Sequence, residues 1–325
     1  MLRLDQLQVG HPGHSCVREL SLTIPAGQLV VLLGANGVGK TTLLRTIGGL
    51  TPALAGTVYL QERSLTELAS RERARLLGMA LAQGDAAFGG TVHEMIQLGR
   101  HPYQRRFAPD PREQAWVEQA AAQLQISAWL NRPMRTLSSG MQQRVHLARL
   151  WVQQTPLLLL DEPLAHLDWP ARYFVMEWLQ QLAQRENRTI LVSAHDVGLA
   201  LRYADTALLL LGQNRWAWGS PEQLGAEGHL TDLYGAEGLS YDPEAQDLRP
   251  VQSDRPAVQV WAPDNLRPWL CHAAERCGWR VEPAAEVQLH AQDAGFQMVF
   301  PDGRTQQVRG WSQLADLLRQ AGSRV

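Results

Sequence analysis

Gly34-Ala35-Asn36-Gly37-Val38-Gly39-Lys40-Thr41-Thr42 directly follows the apolar run 30–33 and opens a helix-compatible segment, 42–47. The spacing G-x-x-x-x-G-K-T, set between a strand and a helix, is the context in which a glycine-rich turn holds phosphate. Glycine lets backbone N–H groups close around anionic oxygens without Cβ clashes, and the following helix aims its positive end at the same charge. Lys40 is then placed to reach the β and γ phosphates, and Thr41 to hold Mg²⁺ through its hydroxyl. The stretch predicts nucleoside triphosphate binding, and the rest of the chain decides what the energy drives.

On the amino-terminal side, Leu2, Leu4 and Leu7 alternate with polar neighbours, as do Leu20, Leu22 and Ile24 before Pro25. Both segments read as strands of a half-exposed antiparallel layer. On the other side, apolar runs at 78–82, 157–160, 189–193 and 205–211 are separated by helical patterns at 111–124, 140–153 and 171–185. Short buried strands alternating with amphipathic helices predict a largely parallel sheet covered on both faces. After about residue 238 the texture changes, and 241–256 is rich in Asp, Gln, Pro and Arg, the composition of a linker. Beyond it, 257–261 and 296–300 read as strands, 311–320 as a helix, and Leu266, Trp269, Leu270, Ala273 and Cys277 as one helical face. The expected organisation is an α/β domain over 1–238, a linker over 239–256 and a small α+β domain over 257–325, with Trp261, Trp269, Trp279 and Trp311 read as core of the last rather than as a ligand cage.

Composition narrows the function. The chain has 325 residues, 45% of them hydrophobic, and a formal net charge of −2, which argues against a dedicated nucleic-acid binder; 100–106 remains as a local basic patch. Cys16, Cys271 and Cys277, odd in number and without metal-ligand spacing, suggest a reducing compartment. No run approaches the roughly 18 apolar residues that span a bilayer. Arg3 and Asp5 interrupt the amino terminus where a signal peptide needs its apolar stretch, so a cytosolic protein is expected, with any membrane involvement through a partner.

The run 157–160 ends in Asp161-Glu162-Pro163, which places Asp161 in the Mg²⁺ shell and Glu162 to orient and deprotonate the attacking water. Between this strand and the phosphate turn, Leu137-Ser138-Ser139-Gly140-Met141 begins a helix and makes a second anion-binding terminus. With these motifs in this order, the chain resembles the ATPase subunit of an ABC transporter. The stretch 137–141 matches the family's LSGGQ signature, with Ser139 in place of the usual glycine and Met141 in place of the usual glutamine. The resemblance covers nearly all of 1–238 and implies the P-loop NTPase fold of ABC ATPases: a RecA-like mixed sheet, an antiparallel β layer and a helical signature subdomain.

It also implies roles. Gln83 matches the Q-loop glutamine that contacts Mg²⁺ or water, Asp168 the D-loop at a dimer interface, and His195 the switch histidine that contacts the γ-phosphate and positions Glu162 or water. His11 stands where the family stacks a tyrosine on adenine. The implied catalytic residues are Glu162 and His195. The implied nucleotide-binding set is His11, Gly34, Asn36, Gly37, Gly39, Lys40, Thr41, Thr42, Gln83, Ser138, Ser139, Gly140, Asp161 and Asp168, of which Thr41, Gln83 and Asp161 also serve the metal. ATP and Mg²⁺ are the implied cofactors. In the family, the signature helix of one subunit covers the γ-phosphate held by the other, so a homodimer is implied.

Thr91-Val-His-Glu-Met-Ile-Gln-Leu98-Gly-Arg-His-Pro102-Tyr resembles a segment of ATPases serving bacterial importers of iron-siderophore complexes, heme and cobalamin. That implies two transmembrane permease subunits, indirectly a substrate-binding protein, and a peripheral position on the cytoplasmic face of the inner membrane. The alternative is a non-transport ABC-type ATPase acting as a mechanical switch on a macromolecular complex. Only 84–136 separate Gln83 from the signature, too short for the long coiled coil of the DNA-repair members, and the chain has one phosphate turn where the translation-factor type has two. The 257–325 segment carries no recognisable catalytic constellation and is expected to be a regulatory or dimer-stabilising appendage.

Overall fold

Alternation of side chains along each strand builds two cores on opposite faces of one sheet. The computed structural model describes residues 1–81, 88–104, 112–235, 238–242, 247–250, 254–292 and 295–322, divided into two compact units, Met1–Arg249 and Pro250–Val325. In the first, β1 (Leu2–His11) pairs antiparallel with β2 (His14–Ile24), and β3 (Leu29–Gly34) leads through the glycine-rich turn into α1 (Lys40–Ile47). With β4 (Ala55–Leu60) and β5 (Arg63–Ser64), the first two strands make the expected antiparallel layer, in the order β2-β1-β4-β5. The chain then runs through α2 (Ser70–Leu76), β6 (Leu77–Ala80), α3 (Val92–Gln97), α4 (Glu113–Gln123) and α5 (Ser139–Val152). It continues with β7 (Leu157–Asp161), α6 (Trp169–Glu186), β8 (Thr189–Ser193), α7 (Val197–Tyr203), β9 (Thr206–Gly212) and β10 (Arg215–Gly219).

The second sheet has the order β10-β9-β3-β8-β7-β6, parallel throughout except for the β9–β10 hairpin. Its strands are apolar on both faces because both are covered. Leu29, Val31, Leu33, Leu158, Leu160, Ile190 and Val192 enter a core shared with α3 to α7. Their sequence neighbours Val30, Leu32, Leu157, Leu159 and Leu191 enter another, shared with α1 and the antiparallel layer. Mixed sheet, antiparallel layer and helical subdomain are thus the ABC ATPase architecture expected from the motifs.

Downstream, α8 (Pro221–Ala226) and α9 (His229–Asp232) precede β11 (Leu239–Asp242) and β12 (Asp247–Pro250), which pair as a two-stranded sheet. This changes the picture of 239–256 as a plain linker. Tyr241 and Leu248, two of the few apolar residues there, pack against the first unit's core and tie the segment to it.

The second unit contains β13 (Ala257–Trp261), α10 (Arg267–Arg276), β14 (Arg280–Val281), β15 (Val287–Gln292), β16 (Gly295–Val299), β17 (Thr305–Val308) and α11 (Trp311–Gly322). Its sheet, β14-β13-β15-β16-β17, is parallel around β13 and antiparallel beyond β15. Trp279 is fully buried in the core, its Nε1 donating to the Leu318 carbonyl at 2.8 Å. The other three tryptophans expected in this core are not in it: Trp261, Trp269 and Trp311 are 51%, 65% and 45% exposed. On β13, Val258 and Val260 take the inward pleat and leave Trp261 outward, stacked on its cross-strand partner His290. On α10, Leu270, Ala273 and Ala274 form the buried face, and a residue one position from Leu270 lies about 100° around the helix.

Trp279→Ala should therefore lower the stability of this unit by about 3–5 kcal/mol. Urea denaturation followed by circular dichroism measures it, and an unchanged midpoint would contradict the assignment of Trp279 as the core residue.

Candidate active site

β3, β8 and β7 are neighbours in the sheet, and their register places both Leu32 and Asp161 opposite Ser193. Residues leaving these three strands therefore meet at one edge, the carboxyl edge where open α/β sheets gather their ligand loops. The turn after β3 ends at Gly39, with φ 112°, and a Cβ there would lie 2.7 Å from Cβ of Cys16 on β2. Left-handed backbone and close approach both demand glycine. Gly39 caps α1 with no side-chain hydrogen bond, so the first-turn N–H groups are left for an anion.

Lys40 is buried, and its Nζ donates to the carbonyls of Gly34 at 2.6 Å and Ala35 at 3.1 Å. Burial pushes the ammonium below the ordinary lysine range, while the charges of Glu162 and Asp161 pull it back. Asp161, the last residue of β7 and only 3% exposed, accepts from Thr41 Oγ1 at 2.8 Å and from Ser193 Oγ at 2.7 Å, one bond on each carboxylate oxygen. Ser193 Oγ in turn accepts from the Glu162 N–H at 2.9 Å. Glu162 has φ 52°, a conformation costly for a residue with a Cβ, and its Oε1 lies 2.7 Å from His195 Nε2.

Lys40, Thr41, Asp161, Glu162 and His195 thus form one cluster. Gly34, Asn36, Gly37 and Gly39 lie on the adjoining turn, with Asn36 and Gly37 exposed, and Thr42 is half-buried in the first turn of α1. His11 is exposed at the end of β1, opposite His14. Gln83 lies outside the described residues. Ser138 and Ser139 are exposed at the start of α5, where Ser138 Oγ accepts from the Met141 N–H at 3.4 Å as the helix cap. Gly140 belongs there because a Cβ would come within 2.8 Å of the His166 carbonyl. Asp168 caps α6, its Oδ1 accepting from the Ala171 N–H at 3.0 Å. Among the described residues, no hydrogen bond or ion pair joins Ser138, Ser139 or Gly140 to the phosphate turn. Arg100 of the expected basic patch is turned inward, donating to the Val152 carbonyl at 2.9 Å and stacking over Tyr103; Arg105 and Arg106 lie outside the described residues.

Comparison with known proteins agrees with this arrangement. Residues 17–165 match the ABC transporter family model. The "Probable siderophore transport system ATP-binding protein" of Bacillus subtilis (strain 168) is 35% identical over 68% of this chain and 80% of its own length. The chain belongs to the ABC transporter ATP-binding family. The petrobactin import ATP-binding protein of Bacillus anthracis is 32% identical over 74% of this cassette-bearing chain and 89% of its own length. A dimeric ATP-binding cassette in a post-hydrolysis state with ADP and Pi shares the fold, at a TM-score of 0.59 and 24% identity, covering 67% of this chain and 98% of that one.

The residue that motif reading missed in this ABC ATPase is Ser193. It is fully buried and joins the Asp161 carboxylate to the Glu162 backbone. Its one signal was a polar residue closing the otherwise apolar run Ile190-Leu191-Val192. Ser193→Ala removes a hydrogen bond to a charged group, worth about 1.5–3 kcal/mol, and leaves the Glu162 N–H without its acceptor. The variant should melt lower and turn over ATP at least about tenfold more slowly, a barrier change of about 1.4 kcal/mol. Thermal melts and phosphate release measure both, and parental values in both would refute the role of Ser193.

Proposed function

We propose that the chain is the ATP-hydrolysing subunit of a bacterial importer for metal chelates, an iron-siderophore complex before heme or cobalamin, working as a pair beneath two permease subunits. The observation that carries the catalytic reading is the string Thr41–Asp161–Ser193–Glu162, with His195 against the Glu162 carboxylate. The importer reading is supported by the 91–103 segment and by the names of the two relatives, which give siderophore transport and petrobactin import.

In the proposed reaction, the N–H groups of the turn and of α1 surround the β and γ phosphates. Lys40 exchanges its Gly34 and Ala35 carbonyl partners for phosphate oxygens, which the low-dielectric site favours. The donor set suits Mg²⁺: a threonine hydroxyl and a buried carboxylate, both hard oxygens, already 2.8 Å apart. When bound, Mg²⁺ neutralises charge on the phosphates. Glu162 accepts the proton of the attacking water, and His195 Nε2 holds that carboxylate in place. Ser193 fixes the backbone from which Glu162 projects.

Ser138 and Ser139, exposed and apart from the phosphate turn, are assigned to the γ-phosphate held by the second copy. Each chain then supplies half of two sites; water attack on the γ-phosphorus breaks its bond to the bridging oxygen of ADP, and departure of the phosphate takes away the group that joins the halves. Leu98, 45% exposed in the importer-like segment, and the neighbouring exposed His101 belong to the face assigned to the permease subunits. On this reading the chain sits at the cytoplasmic side of the membrane. No described helix is long and apolar enough to cross it.

At ATP a hundredfold above its dissociation constant, the parent should gain about 2.7 kcal/mol of stability, and Lys40→Met none. Thermal shift with and without ATP decides this, and an equal shift in both would remove Lys40 from the site. In cells lacking the protein, uptake of ⁵⁵Fe-siderophore should fall to background and return with the parent gene but not with Glu162→Gln. Undiminished uptake of siderophore, heme and cobalamin in those cells would reject the importer reading.

A further inference from the structure

The second unit exposes two of its tryptophans into one groove. Trp269, His272 and Arg276 follow one another at helical spacings of three and four on the solvent side of α10, and Trp311 opens α11 opposite them. With Ala273 they line a cavity of about 400 Å³, a size suited to a small molecule. The small side chain of Ala273, itself buried, keeps the groove open where a longer one would fill it. Trp311 is held from behind by Phe296, with ring centroids 4.8 Å apart, so one wall is fixed.

The chemistry of the lining is specific. Two indoles provide apolar, π-rich walls, and exposed aromatic surface gathered in one groove marks a binding site. Arg276 forms no ion pair with any described residue, and no carboxylate lines the groove. A guanidinium with free donors beside an imidazole selects an anion, and a planar guanidinium fits a carboxylate best. The unit buries Trp279 completely, so its core does not depend on Trp269, which stands 65% exposed.

We propose that the groove between α10 and α11 is a binding site for a small ligand that joins a planar aromatic body to a carboxylate. The body stacks on Trp269 and Trp311, and the carboxylate pairs with Arg276, flanked by His272. The site lies in the second unit and stands whether or not the importer reading does.

Isothermal titration of the full chain with 2-naphthoate, 2-naphthalenemethanol and cyclohexanecarboxylate tests it. Naphthoate should bind saturably with one site per chain, and the neutral alcohol and the non-aromatic acid each at least about tenfold more weakly, the effect of one lost charged hydrogen bond or stacking contact. Arg276→Gln should erase the preference for naphthoate over the alcohol, and Trp269→Ala should weaken naphthoate about tenfold. Both substitutions are at exposed positions and should leave the melting temperature and ATP turnover at parental values. Equal affinity for acid and alcohol would overturn the proposal, as would naphthoate binding that survives both substitutions. So would the absence of saturable binding up to about 10 mM, given the millimolar affinity expected for a ligand of this size. A change in sedimenting mass with Trp269→Ala would identify the groove as a protein contact instead.

Discussion

The carboxylate of Asp161 is taken almost wholly out of water, and a buried charge without partners costs several kcal/mol. Thr41 and Ser193 meet that demand with one hydroxyl each. Because Thr41 follows β3, Asp161 ends β7 and Ser193 ends β8, satisfying one charge pins three strands at a common edge. The same serine accepts the Glu162 N–H and so sets the turn that carries the proposed base toward His195. The reacting edge is therefore part of what holds the sheet in register, which explains why a strained φ at Glu162 persists: the surrounding bonds over-determine it.

The other half of the proposed site is built differently. At the start of α5, the hydroxyl of Ser138 caps its own helix, and Gly140 is packed against the His166 carbonyl just ahead of Asp168. The signature and the loop that caps α6 thus meet in one close-packed corner, with no room for a side chain at Gly140. Met141, where the family usually has glutamine, is absorbed into the packing against the first unit's core, so the departure falls on the inward side of the helix. Ser139 remains exposed beside Ser138 and is available to a second copy. These observations give the dimer proposal its physical content: a complete phosphate turn and a complete signature corner, with no bond between them among the described residues.

Much of this was legible in the sequence because it rests on local rules. A glycine-rich turn with Lys40 and Thr41 after an apolar run, adjacent carboxylates ending another, and His195 after a third each announce a strand end, and strand ends of a parallel sheet share an edge. The role of Ser193 was not legible, since it depends on which residue of β8 stands opposite Asp161, and register is a property of the assembled sheet. The tryptophans were misread for a related reason. The stripe 266, 269, 270, 273, 277 is narrow enough to be one face, but the side that packs is centred on Leu270, Ala273 and Ala274, which leaves Trp269, about 100° around from Leu270, outside it. Strand β17, Thr-Gln-Gln-Val, carries too little apolar alternation to announce itself and is held by its neighbour β16 in the sheet. The inward turn of Arg100 likewise follows from the carbonyl of Val152, distant in sequence, with the guanidinium lying over Tyr103.

Sedimentation of the Glu162→Gln chain with Mg²⁺ and saturating ATP tests the central claim most directly, because the substitution removes the proposed carboxylate base and leaves the phosphate turn and the signature corner untouched. The account predicts a dimer that forms with ATP, is absent with ADP, and is lost when Ser138 and Ser139 are both replaced by bulky residues. A chain that binds ATP yet stays at monomer mass at every protein concentration would contradict it.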